Sequence, residues 1–170
     1  MMKKMLWTLI LLSCFSLTYA QVSTTEKNEA LNFNDYIAEI TDSVYNYGRE
    51  WGTNVLEVKE SKSYHKLSTI RKKLQTFLDK KQMEVLRYKT SPGLDKTKLA
   101  IINFLAIEKL ILQTGMMRFE YLNSDSTQEE IDYEFNNLTE VALFEEEYMQ
   151  TLKAVLEEMA NTYGYTIAPE

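Results

Sequence analysis

The sequence predicts an all-α protein, an up-down-up-down four-helix bundle of long antiparallel helices. Three observations carry that expectation. Apolar residues recur at steps of three and four over four long stretches. The two prolines, Pro92 and Pro169, fall outside those stretches, and no segment alternates with the period of two that a half-buried strand requires.

The first helix is expected over about 34–61. Phe33, Ile37, Ile40, Val44, Tyr47, Trp51 and Val58 form one stripe along it, with Asn54 interrupting. The second is expected over about 64–89 and buries Leu67, Ile70, Leu74, Phe77, Leu78, Val85 and Leu86. Ser91-Pro92-Gly93-Leu94 ends it, because proline biases the residue before it out of the helical region and glycine supplies turn freedom. Asp95 then reads as the N-cap of a third helix over about 96–122.

Asn123-Ser124-Asp125-Ser126 is the next break. Ser126 with Glu129, or Thr127 with Glu130, makes a capping box for a fourth helix over about 127–163. Its stripe is Ile131, Phe135, Leu138, Val141, Phe144, Tyr148, Leu152, Val155 and Met159, and Gly164 sits where a left-handed stop is common. The first three helices are each roughly 40 Å long at 1.5 Å per residue, and matched lengths with short connections favour antiparallel neighbours.

Residues 1–20 read as an export signal. Lys3 and Lys4 give a positive start, Met5 to Leu12 an apolar run, and Thr18-Tyr19-Ala20 a small-residue ending. Leu11-Leu12-Ser13-Cys14 also has the form of a lipobox, in which Cys14 is acylated and anchors the chain to a membrane; Phe15 and Leu17 continue the apolar run past it and favour a cut after Ala20. Residues 21–32 are expected to be a polar tether, and 33–167 a single helical-bundle domain.

Cutting after Ala20 leaves no cysteine, so apolar packing must hold the fold. It also moves the formal charge from −6 to −8. So acidic a chain makes nucleic acid a poor partner, since phosphate contact needs clustered Lys and Arg. Charge is unevenly spread. Segment 59–89 carries ten basic residues against three acidic, and segment 125–158 eleven acidic residues against Lys153 alone. The second and fourth helices stand diagonally in a simple bundle, so this asymmetry either marks two solvated faces or steers a partner or a second copy.

Catalytic chemistry has little to stand on. His65 is the only histidine, and Lys62 occupies the position where a di-iron Glu-x-x-His motif would put its glutamate. Zinc sets of His and Cys are missing, as are a nucleophile elbow and a glycine-rich phosphate loop. Glu145-Glu146-Glu147 is the densest acidic run, but neighbours on a helix point about 100° apart, so it is expected to be a solvated face. No catalytic residue, metal site or cofactor is expected.

Two features remain as site candidates. Gly48 and Gly52 lie one turn apart beside Trp51, and each glycine costs a helix about 1 kcal/mol relative to alanine. Close approach of a neighbouring helix, or room for a small apolar ligand, would justify that cost. The third helix is apolar on more than one face. Glu108 and Lys109 near its centre argue against a membrane span, so it is either the most buried helix or a partner face made by Ile101, Leu105, Leu112, Met116 and Phe119. Ten of the eleven tyrosines lie beyond Ala20, which suits binding and ordinary bundle edges alike.

The closing segment, Met159-Ala160-Asn161-Thr162-Tyr163-Gly164-Tyr165-Thr166-Ile167, together with the signal and helix layout, resembles a group of short all-helical surface proteins and lipoproteins of double-membrane bacteria. Met159 stands where that group has an aromatic residue. The resemblance implies a cell-envelope location, periplasmic or at the cell surface, and brings no catalytic residues. The expectation is a non-catalytic exported envelope protein acting by protein–protein binding or scaffolding, toward another envelope protein or itself. The alternative is a carrier of a small apolar ligand or lipid.

Overall fold

The structure, a computed structural model, describes residues 22–167. The signal sequence, its cleavage site and Cys14 lie outside the described residues. Four long helices, α1 (Thr24–Ser61), α2 (Leu67–Arg87), α3 (Asp95–Thr114) and α4 (Gln128–Tyr163), are joined by short 3-10 turns, and no strand occurs among the described residues. The protein is all-α.

The expected tether is instead the start of α1, ten residues earlier than the apolar stripe indicates. Ser23 caps it: its hydroxyl accepts from the Glu26 amide at 3.2 Å, and the Ser23 amide donates to the Glu26 carboxylate at 2.9 Å. Ala30 falls in step with Phe33 and Ile37, and all three are fully buried. Lys62, in the left-handed region at φ 52°, ends the helix. The buried stripe passes through Val55 rather than Asn54.

The 3-10 turn Tyr64–Lys66 leads into α2, where Leu67, Ile70, Leu74, Leu78 and Val85 are buried as expected, while Leu86 is exposed. Pro92–Leu94 forms a turn, and Asp95 is the first residue of α3 rather than its cap. The third helix stops at Gly115, short of the expected 122, and Met116–Tyr121 continues as 3-10. A Cβ on Gly115 would lie 2.7 Å from Leu138 Cδ1 and 2.9 Å from the Ile111 carbonyl oxygen, so the chain turns there tight against α4. Thr127 and Glu130 make the capping box of α4, and Gly164 at φ 69° ends it with the Tyr165 amide bonded to Ala160 O at 3.0 Å.

The main seams are α1–α2, α2–α3, α3–α4 and α1–α4. Ile101, Leu105, Leu112, Met116 and Phe119, the anticipated partner face, are all buried in them. That face is core: α3 sits between α2 and α4 and needs apolar residues toward both. The stretch Pro92–Tyr121 is long and apolar enough by composition to cross a membrane, yet much of that surface is already covered by its neighbours.

Candidate functional site

The middle of the α3–α4 seam holds a group that the apolar pattern hides. Glu108 lies in phase with Ile101, Leu105 and Leu112, so the helix that buries them buries it too, leaving 4% of the residue exposed. Across the seam the Glu145 carboxyl faces it, close enough that a proton on one side chain can be donated to the other. One must carry the bridging proton, since two ionised carboxylates would repel. Burial first, and the Glu145 charge second, push Glu108 up to about 8; burial raises Glu145 as well. The second Glu108 oxygen, Oε1, has no hydrogen-bond partner among the described residues.

The expectation that Glu145-Glu146-Glu147 is wholly solvated therefore needs correcting for its first member. The three do diverge, and that divergence points Glu145 inward. A shallow surface cleft of about 390 Å³ begins beside it, lined by Ala142, Glu146, Met149, Gln150 and Lys153. No group of three or more His, Cys, Asp or Glu that could hold a metal ion converges among the described residues.

Gly48, Trp51 and Gly52 do not form one site. Trp51 is buried, its ring edge-on to Phe119 at a centroid distance of 5.3 Å, and Phe119 meets Phe135 in turn at 5.0 Å. The glycines face elsewhere. A Cβ at either would meet no heavy atom within 4 Å, so close helix approach does not explain them. Close packing belongs to Gly115, and to Gly93, where an added Cβ would meet the Tyr163 hydroxyl.

A second cluster ties α1 to α2. Lys81, buried by its stem, pairs with Glu84 at 3.2 Å and Glu39 at 3.5 Å and stands 4.8 Å from the Tyr36 ring centre. The Tyr36 hydroxyl donates to Glu84 at 2.9 Å, and Tyr36 stacks on Tyr88. Burial, then that bond, raises the Tyr36 hydroxyl above its ordinary range. Every member has a partner within the chain, which marks a structural clasp.

The sequence stripe on α4 failed at its centre. Phe144 is 55% exposed and its neighbour Leu143 64%, and none of the α4 residues between Ile131 and Leu152 is buried. Around them Glu140 and Glu147 are exposed as well. No protein-family model matches the chain, and neither a curated protein nor a solved structure matches it.

Proposed function

We propose that this is a non-catalytic exported envelope protein, built as an up-down-up-down bundle, that acts by protein–protein binding or scaffolding through the outer face of α4. The antiparallel arrangement is supported by contacts between helix ends. Lys27 near the start of α1 donates to the Gly164 carbonyl after α4 at 2.6 Å, and Lys62 after α1 donates to Ser124 O before α4 at 3.2 Å. Export, with a cut after Ala20 or lipidation at Cys14, is carried by the sequence signal alone.

The observation that carries the binding reading is the exposed pair Leu143 and Phe144, flanked along the helix by exposed Glu140 and Glu147. An aromatic and a leucine with a carboxylate at each end is the composition of a small recognition patch. The test is a photo-crosslinking residue at position 143 in intact cells, with one at exposed Leu99 of α3 as control. Adducts at 143 in clear excess over 99 are expected; equal yields at both positions would remove the patch as a binding surface.

A second reading, carriage of a small apolar ligand, has one observation in its favour: a side chain added at Gly48 or Gly52 would meet no heavy atom within 4 Å, so the surface there is open. Bound lipid in native mass spectra of protein taken from its own envelope would put it first.

A further inference from the structure

The α4 face has a counterpart on the same molecule. On α4, Glu140, Leu143, Phe144 and Glu147 stand at i, i+3, i+4 and i+7, and all four are exposed, which makes an apolar knob with a carboxylate at each end. Between α1 and α2 lies an open cleft of about 590 Å³ whose walls include the half-buried rings of Tyr47 and Phe77, 5.5 Å apart by centroid. Lys72, Lys73 and Lys80 line it too. Lys73, Phe77 and Lys80 stand at i, i+4 and i+7.

The two surfaces match in spacing and sign. Glu140 to Glu147 and Lys73 to Lys80 are each seven residues apart, two turns or roughly 10.5 Å. Each pair brackets an aromatic surface at its middle. Lys72 and Lys73 form no ion pair among the described residues, and Lys80 makes only a long exposed one with Glu84 at 3.7 Å. Glu140 and Glu147 likewise lack a basic partner among the described residues. Both halves keep charges and apolar area that the described residues of the single chain leave unmatched.

We infer that the occupant of the α4 patch is a second copy of this chain, the Leu143–Phe144 knob of one copy entering the Lys73–Phe77–Lys80 cleft of the next. The inference rests on the binding reading above and names its partner. The knob belongs to α4 and the cleft to the α1–α2 seam, and α2 and α4 share none of the main seams. The contact is therefore heterologous, and each added copy leaves one knob and one cleft open, so assembly proceeds head to tail. The patch is small and its edges are charged. Association is weak, on the order of micromolar to millimolar, and falls with salt.

The test is sedimentation of the chain as its host processes it, over that concentration range and at low and high salt. Two variants accompany it, Phe144→Lys for the knob and the double change Lys73→Glu with Lys80→Glu for the cleft. All three positions are exposed, and circular dichroism checks that helix content is kept. Wild-type mass rises with concentration past the dimer, and each variant alone stays monomeric. An equimolar mixture of the two forms dimers and nothing larger, because one intact knob meets one intact cleft. A wild type monomeric throughout, variants that still assemble, or a mixture that stays monomeric would each overturn the inference. Crosslinks from position 143 to a different protein, with the wild type monomeric, would leave the binding reading standing. Absence of both would remove both.

Discussion

Glu108 concentrates the chemistry of the molecule at one residue. A carboxyl buried in an apolar seam is tolerated while it holds a proton and donates to Glu145, and it opposes folding once ionised. Its pKa rises from 4.5 toward about 8 on folding, so the native state binds more protons than the unfolded chain between those values. The stability that this carboxyl contributes is therefore full below about pH 4.5 and is lost as pH climbs through about 8. Glu145, shifted in the same direction, adds to the fall. Glu108→Gln removes the ionisation while keeping a donor, and should flatten the dependence. At pH 8 the variant should be more stable than wild type by roughly 1–3 kcal/mol, with little difference at pH 5, in urea melts at both values. A wild-type curve as flat as the variant's would show that Glu108 ionises freely in the fold. The sequence held the signal for this residue, because steps of three and four from Ile101 and Leu105 lead to position 108. Its partner was less legible: a run of three glutamates does not say which one turns inward. The glycines show the same limit. Spacing places Gly48 and Gly52 on one face of α1, but only the fold reveals open space there and Leu138 pressed on Gly115.

At the scale of the element, helix existence and type were legible and the ends were only partly so. The stripes of α1 and α2 are written in the periodicity of Phe33, Ile37, Ile40 and Val44, and of Leu67, Ile70, Leu74 and Leu78, all buried. Of the two capping boxes that the sequence offers, Thr127 with Glu130 forms and Ser126 with Glu129 does not; that box and Gly164 were legible because each carries a local mechanism. The early start of α1 was missed although Ser23-Thr24-Thr25-Glu26 is itself a capping-box sequence, since the polar residues after it outweighed Ala30 alone. The break of α3 at Gly115 was missed because its cause is tertiary. A folded 24–32 segment has a consequence that a tether lacks. Ala30 is fully buried, and Ser91 donates its amide to Glu29 at 2.7 Å beside it. Ala30→Lys forces an unpaired charge into that contact and should cost about 2–4 kcal/mol in a thermal or urea melt. A free tether would accept the same change within about 0.5 kcal/mol, and that result would detach this segment from the domain.

Over the whole molecule, cohesion is strongest at the two ends of the bundle and weakest at its waist on the α4 side. One end is tied by Lys27 to the Gly164 carbonyl and by an ion pair between Lys96 and Glu158; the other by Lys62 to Ser124 O and by Arg118 to Glu134 at 2.6 Å. Between them α4 contributes half-buried side chains, the exposed Leu143 and Phe144, and the Glu108–Glu145 bond. Few buried apolar contacts over a dozen residues is the condition for local opening at less than the global free energy. Amide exchange should therefore be faster over about 139–150 than at either end of α4, and faster than in the buried turns of α2. The carboxyl pair couples this opening to the proton. Glu108→Gln should slow exchange in that stretch at pH 7.5 relative to wild type measured alongside it, and leave α2 unchanged. Concentration tests the same stretch from outside, since a second copy seated on Phe144 protects it while the bundle ends stay as they were. Exchange that is uniform along α4, or that changes equally in every helix, would mean the molecule opens only as one unit and that its waist is no weaker than its ends.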